Sequence, residues 1–129
     1  MTAPAALVVD DDALIRMTAC DILEDAGFET LEARDVDEAL LVMGQHHAAV
    51  QLLFTDVEMP GSRDGFALAR EVAQRWPHVG ILVASGNVKP DPDAMPDGAV
   101  FIGKPFSAEV VHTRVREILP DGQKPEPLR

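Results

Sequence analysis

Short apolar runs alternate along this chain with segments whose apolar residues recur at helical spacing, and this alternation limits the fold more than any other feature. The apolar runs lie at residues 5–9, 28–33, 50–55, 80–84 and 100–103. Helical periodicity follows the first, second, third and fifth runs. Strands that alternate with helices predict a parallel sheet covered on both faces. The sequence therefore predicts a doubly wound α/β domain around a five-stranded parallel sheet.

The fourth crossover breaks this alternation. Residues 87–98 contain Pro90, Pro92 and Pro96 and few apolar side chains. Each proline lacks a backbone donor and clashes with the preceding helical turn, which costs about 3 kcal/mol in a helix interior. We therefore predict a loop with at most a short helical turn between the fourth and fifth strands.

Length and charge narrow the classes of function. The 129 residues suit one domain, which we place at residues 1–119, followed by a polar, proline-containing tail at 120–129 that we expect to be disordered. The net charge of −11 argues against partners that are nucleic acids or anionic membranes. No leader or membrane-spanning run is evident, and the single cysteine, Cys20, excludes an internal disulfide. These features predict a cytoplasmic protein.

Polar residues follow four of the predicted strands at their carboxyl ends. Asp10 and Asp11 follow the first strand, Asp56 the third, Ser85 the fourth and Lys104 the fifth. Each alone has an ordinary explanation as a helix cap or a surface group. Ligands bind at the carboxyl ends of strands in open parallel sheets, so we expect these five side chains to converge.

The expected cluster suits phosphoryl transfer. Crowded carboxylates repel one another unless a cation lies among them, and an all-oxygen ligand set suits Mg²⁺. A carboxylate can also attack phosphorus and form an aspartyl phosphate. Mg²⁺, Lys104 and Ser85 could neutralise the phosphoryl oxygens during transfer to Asp56.

Four segments resemble the receiver domain of two-component response regulators. They are LVVDDD at 7–12, LLFTDVEMPGSRDG at 52–65, ILVASG at 81–86 and FIGKPF at 101–106. Their order and spacing extend the resemblance over nearly the whole chain, from about residue 5 to 119. The family implies the flavodoxin-like strand order 2-1-3-4-5, with the fourth helix short or missing in this chain.

The resemblance implies a role for each acidic residue of the site. Asp56 resembles the phosphorylated aspartate, and Asp11 the residue that binds Mg²⁺ directly. Asp10 is similar to the neighbour that acts through metal-bound water, and the backbone carbonyl of Glu58 to the group that completes the metal shell. Asp12 is better suited to cap the first helix.

The remaining site residues resemble the positions through which the family responds to phosphorylation. Lys104 matches the lysine that pairs with the phosphoryl group, and Pro105 its usually cis partner. Ser85 matches the residue that hydrogen-bonds the phosphoryl oxygen. Phe101 stands at the aromatic switch position but lacks the usual tyrosine hydroxyl, so a switch there would act by packing alone. The loop at residues 61–63 is one residue longer than the commonest form.

The implied function is signalling. Asp56 would accept a phosphoryl group from a sensor histidine kinase or a phosphotransfer protein in a Mg²⁺-dependent reaction, and phosphorylation would alter contacts with an unknown downstream protein. Such a domain catalyses only its own phosphorylation and dephosphorylation. We expect a monomer or weak dimer without an output domain, although a receiver from a hybrid kinase would look the same.

Two alternatives remain at this level. A haloacid-dehalogenase-like phosphotransferase also places a nucleophilic aspartate after an apolar strand, but it expects Asp where Glu58 stands and a cap domain. A degenerate receiver would only bind a partner, yet all five site residues are present. The adjacent His46 and His47 are best explained as solvated surface, not as a metal site or a phosphorelay histidine.

Overall fold

The computed structural model describes residues 3–86 and 93–128. Five parallel strands form one sheet in the order β2-β1-β3-β4-β5. The strands are β1 (Ala5–Val9), β2 (Glu29–Ala33), β3 (Val50–Asp56), β4 (Gly80–Ser85) and β5 (Val100–Gly103). The helices are α1 (Ala13–Asp25), α2 (Val36–His46), α3 (Gly65–Arg75) and α4 (Ala108–Ile118). The predicted fold class and strand order are therefore confirmed.

Alternate strand residues build a core on each face of the sheet. On one face, Leu7, Leu53 and Val83 pack with residues of α2 and α3. On the other face, Val8 and Phe54 pack with residues of α1 and α4. Both faces of the central strands are buried, which is why those strands read as nearly continuous apolar runs.

Each helix begins at a side chain that accepts a backbone hydrogen bond. Asp12 caps α1, Asp35 caps α2, Asp64 caps α3 and Ser107 caps α4. Such caps satisfy amide groups that have no partner inside the helix. The three aspartates and the serine thereby fix where the chain turns from the sheet edge into each helix.

The connection between β4 and β5 is irregular where the structure describes it. Residues 93–99 form turns and no helix, so the predicted absence of a full helix is confirmed there. Residues 87–92, with Pro90 and Pro92, lie outside the described residues. The side chains of Ala94 and Met95 pack against the core, and Arg70 of α3 donates a 2.6 Å hydrogen bond to the carbonyl of Ala94. Residues 93–99 are thus fastened to α3.

The expectation of a disordered tail is wrong for residues 120–128. Two 3-10 turns, Asp121–Gln123 and Glu126–Leu128, follow α4. The side-chain Nε2 of Gln123 donates to Gln51 Oε1 at 2.6 Å and to the backbone carbonyl of His78 at 2.9 Å. Leu128 is buried in the α1–α4 core. The tail therefore crosses the amino-terminal end of the sheet, from the end of α4 to the turn after α1.

In the described part of the chain, no helix combines the length and the apolar character that crossing a bilayer requires.

Candidate functional site

Strand register brings the predicted residues together. Val9 of β1 pairs with Thr55 of β3, so Asp10 and Asp56, each one residue further on, lie level at the carboxyl edge. Asp56 pairs with Ala84 of β4, and Ser85 pairs with Gly103 of β5. Ser85 and Lys104 therefore lie at the same edge, as expected from the sequence.

Three carboxylates form an acidic pocket at this edge. Asp10, Asp11 and Asp56 each offer one oxygen atom, and these atoms lie within 4.8 Å of one another. Asp10 and Asp56 are buried, whereas Asp11 is exposed. Hard divalent cations prefer oxygen ligands and keep several waters when one side of the site is open. The residues present therefore fit a divalent cation such as Mg²⁺.

Lys104 bridges the two buried carboxylates. Its Nζ lies 3.0 Å from Asp10 Oδ2 and 2.9 Å from Asp56 Oδ1. The Lys104 side chain is 17% exposed, against 4% for Asp10 and 9% for Asp56. One ammonium thus compensates two carboxylates that are largely shielded from water, and the pocket carries excess negative charge.

This charge balance shifts two pKa values. Burial raises the pKa of Asp56, and the charge of Asp10 raises it further, while the hydrogen bond from Lys104 opposes the shift. Burial alone would lower the pKa of Lys104, but its hydrogen bonds to Asp56 and Asp10 and the attraction of both carboxylates raise it overall. Asp56 is therefore a destabilised carboxylate beside a stabilised ammonium.

Contacts of the Lys104 backbone and of the residues that follow it fix the position of Lys104. Its backbone N–H donates to the Ser85 carbonyl at 3.1 Å. The peptide bond to Pro105 is cis. Phe106 then packs edge-on against Phe54 of β3, with ring centroids 5.2 Å apart. Strand pairing and aromatic packing together place the lysine over the pocket.

The other predicted residues occupy the surroundings of the pocket. Ser85 is buried at the end of β4. Phe101 is half-buried and packs against the core shared with α2 and α3. Glu58 lies in the loop after β3 with its side chain exposed. The roles of Ser85, Phe101, Pro105 and Glu58 stay predictions.

Gly65 permits the chain to pass close behind Asp56. Its N–H donates to the Val57 carbonyl at 2.8 Å. A Cβ atom at this position would lie 1.8 Å from the carbonyl oxygen of Asp56. Only glycine fits here, so α3 begins directly against the backbone of the candidate nucleophile.

The longer loop at 61–63 is tied to two helices. Arg63 pairs with Asp37 of α2 at 2.5 Å and with Glu71 of α3 at 3.1 Å. Exposed ion pairs of this kind contribute little to stability. They connect the loop that follows Glu58 to α2 and α3.

Sequence reasoning missed one residue that contacts the pocket backbone. Arg16 of α1 donates from Nη1 to the carbonyl oxygen of Asp10 at 2.8 Å and from Nε to Glu32 of β2 at 2.9 Å. Its place in the helical pattern carried no signal, because both partners come from other elements. Only the strand order reveals that Glu32 lies beside the end of β1.

A family of known domains matches most of the chain. The sequence model of the response regulator receiver domain matches residues 6–116. The chain is 36% identical over 120 residues to the nitrogen assimilation regulatory protein NtrX of Azorhizobium caulinodans, covering 88% of this chain and 26% of that protein. It is also 33% identical over 119 residues to the sensor kinase CckA of Brucella abortus, covering 88% of this chain and 12% of the kinase. The chain thus spans 26% of the first relative and 12% of the second.

Solved structures give the same picture. The chemotaxis protein CheY4 of Vibrio cholerae superposes with a TM-score of 0.79 at 26% identity, covering 92% of this chain and all of that one. The similarity therefore includes the order of elements that forms the acidic pocket.

Proposed function

Because the chain belongs to the response regulator receiver domain family, we propose that Asp56 accepts a phosphoryl group from a histidine kinase or a phosphotransfer protein. One observation carries the proposal. Asp56 lies buried at a strand end, with a second carboxylate beside it and Lys104 Nζ 2.9 Å from its Oδ1. Membership of the family supports a signalling function, and this geometry supports Asp56 as the residue that accepts the phosphoryl group.

The proposed step is a displacement at phosphorus. A carboxylate oxygen of Asp56 forms the new P–O bond, while the bond between phosphorus and the donor's nitrogen or oxygen breaks. The leaving group keeps the electron pair of the broken bond; a histidine nitrogen then takes up a proton from water, whereas the acetate of acetyl phosphate leaves as the anion. Lys104, already at the pocket, pairs with the phosphoryl oxygens and offsets their charge.

A divalent cation completes the proposed site. Asp10, Asp11 and Asp56 would hold Mg²⁺, with the carbonyl of Glu58 as a further ligand. Bound there, Mg²⁺ supplies positive charge that offsets the repulsion between the carboxylates and the incoming group. Asp10 also keeps Lys104 in place, since their charges lie 3.0 Å apart.

The response would pass through Ser85, Phe101 and Pro105. Ser85 follows Ala84, the β4 residue that pairs with Asp56, and its hydroxyl would hydrogen-bond the phosphoryl oxygen. Phe101 is half-buried on the next strand and would repack without any hydroxyl contact. Pro105 shapes the turn that carries Lys104.

The output would be a change in contacts with another protein. The proposal includes an unknown downstream protein, no nucleic-acid or membrane partner, a monomer or weak dimer, and a cytoplasmic location. Phosphorylation and dephosphorylation of Asp56 would be its only catalysis. NtrX and CckA are longer than this chain, whereas the match covers all of CheY4, so both a free-standing domain and a receiver within a hybrid kinase fit the proposal.

The family match bears on the alternatives. A haloacid-dehalogenase-like enzyme has no support, because the receiver match covers residues 6–116. A receiver that only binds a partner would not be expected to retain Lys104 between two buried carboxylates.

Intact-mass measurement after incubation with acetyl phosphate and Mg²⁺ tests the proposal. We expect one added phosphoryl group on the parent protein and none on Asp56→Asn. Asp64→Asn, which alters an exposed helix cap, is the matched control. Equal phosphorylation of Asp56→Asn and the parent would contradict the assignment.

A further inference from the structure

We propose that Arg16 is a positioning residue that sets the metal affinity of the acidic pocket by fixing the peptide unit between Asp10 and Asp11. This inference rests on the proposed function. Arg16 Nη1 donates to the Asp10 carbonyl oxygen at 2.8 Å, and the Arg16 side chain is only 16% exposed. The guanidinium therefore lies against the pocket backbone rather than in solvent.

The geometry of the peptide unit makes this contact consequential. The carbonyl of Asp10 belongs to the planar group that also carries the N–H of Asp11. Fixing the oxygen therefore fixes the plane, and with it the direction in which the chain enters Asp11. The Asp11 side chain is exposed, so surrounding packing does little to orient it. Arg16 thus acts on Asp11 through the backbone.

The rest of Asp10 is already held. Its N–H donates to the Ala33 carbonyl at 3.1 Å, and its Oδ1 accepts from the Asp12 N–H at 2.9 Å. Its Oδ2 accepts from Lys104. The contact with Arg16 engages the Asp10 carbonyl, whose orientation these three hydrogen bonds do not fix.

Glu32 keeps the guanidinium in this orientation. Arg16 Nε lies 2.9 Å from Glu32 Oε1, so the two donors of one planar fork point in two set directions. Val8 of β1 pairs with Glu32 of the neighbouring strand β2. Glu32 therefore lies level with the residue that stands two positions before Asp10. A lysine at position 16 has a single donor nitrogen, so it would not reproduce the two separate donor positions of the arginine fork.

Loss of Arg16 should weaken metal binding more than it slows chemistry at saturating metal. Groups that orient the ligands of a metal typically change its affinity by about 10-fold or more when removed. We expect Arg16→Ala to raise the Kd for Mg²⁺ by about 10-fold. Arg16→Lys should give a smaller increase, and Glu32→Gln should fall between Arg16→Lys and the parent.

The test is a Mg²⁺ titration of the full chain by calorimetry, with backbone NMR shifts of the pocket as a second readout. In parallel, the rate of Asp56 phosphorylation by acetyl phosphate is measured against Mg²⁺ concentration. We expect the half-saturating Mg²⁺ concentration to rise in Arg16→Ala while the maximal rate stays within about threefold of the parent. Arg34→Ala is the matched control, because it removes an exposed arginine directly after β2, the strand that carries Glu32. Its Kd for Mg²⁺ and its phosphorylation rate should equal those of the parent.

The outcomes separate the two proposals. If the parent neither binds Mg²⁺ nor phosphorylates Asp56, the proposed function fails. If the parent does both and Arg16→Ala has the parent's Kd, the role of Arg16 is overturned alone. Should Arg16→Ala unfold, the Kd values of Arg16→Lys and Glu32→Gln decide, and parental values in both would refute it.

Discussion

Lys104 Nζ and Asp56 Oδ1 lie 2.9 Å apart, although the two residues are 48 positions apart in the chain. The same ammonium also holds Asp10. Removing it would leave two buried carboxylates without a cation, which is among the costly changes in a protein interior.

We therefore predict that Lys104→Ala lowers stability in EDTA by up to about 3 kcal/mol, and that Mg²⁺ restores part of this loss. The variant should also lose the spectral change that beryllofluoride induces in the parent. Denaturant unfolding and NMR measure the two effects. The control is Arg114→Ala, which breaks an exposed pair with Glu117. A parental response to beryllofluoride would contradict the role of Lys104.

The raised pKa of Asp56 predicts a pH effect on stability. A carboxyl whose pKa is higher in the folded than in the unfolded state favours folding when protonated, and this contribution is lost as pH rises through the folded pKa. Asn at this position does not ionise. In EDTA, Asp56→Asn should thus be more stable than the parent at pH 7, and the difference should shrink as pH falls toward 4. Thermal unfolding across this range measures it, and a difference that is constant with pH would contradict the prediction.

Mg²⁺ should stabilise the folded protein by mass action. At ten times its Kd, a ligand that binds only the folded state adds about 1.4 kcal/mol, and about 5 °C in Tm for a domain of this size. We expect Asp11→Ala to lose most of this shift. Asp21→Ala, at an exposed carboxylate of α1, should keep it. Thermal unfolding with and without Mg²⁺ is the measurement, and the absence of any shift in the parent would argue against a metal site.

The C-terminal segment should contribute to stability. Leu128 is 3% exposed, and truncation of a buried leucine to alanine in a core costs about 2–5 kcal/mol. Because the last 3-10 turn can detach as a unit, the cost cannot exceed its free energy of docking, so we expect about 1–2 kcal/mol for Leu128→Ala. Leu41→Ala, at a leucine that is 65% exposed, is the matched control. Denaturant unfolding with equal stability for both variants would show that the tail does not dock in solution.

Arg70 should control the local stability of residues 93–99. Its hydrogen bond to the Ala94 carbonyl joins this irregular segment to α3, beside the packing of Ala94 and Met95 on the core. Arg70→Ala should increase amide exchange at Met95 and Ala99 by about fivefold, the loss of about 1 kcal/mol of local protection. Arg116→Ala, on the exposed side of α4, should leave that exchange unchanged. Hydrogen exchange followed by NMR distinguishes the two outcomes.

Local signals account for the parts of the fold that the sequence predicted. A nearly continuous apolar run such as 50–55 indicates a strand buried on both faces. Caps such as Asp35 and Ser107 mark helix starts, because each accepts a hydrogen bond from an N–H only three positions further along the chain. The convergence of Asp10, Asp56 and Lys104 followed from strand ends and parallel topology alone, since every carboxyl end lies at one edge.

Contacts between distant elements were not predictable in this way. Arg16 depends on Glu32, and Gln123 depends on Gln51, 72 residues away. The sequence pattern predicts that Leu128 belongs to a polar tail, because one leucine among prolines and charges gives no periodicity. The chain just before it passes close to Gly27, where an added Cβ would meet Pro125 at 2.8 Å. Such fits depend on shape, which a one-dimensional pattern does not record.

The close passage of Gly65 behind Asp56 affects how a saturation-mutagenesis survey of this domain should be interpreted. Position 65 has no side chain and no part in the proposed phosphoryl transfer, yet any replacement would press on the peptide of Asp56, where a Cβ would lie 1.8 Å from the carbonyl oxygen. A survey scored by signalling output would therefore rank this glycine beside Asp56 and Lys104. Scoring the same library by abundance would separate them, because substitutions at Gly65 should deplete folded protein, whereas Asp56→Asn should not.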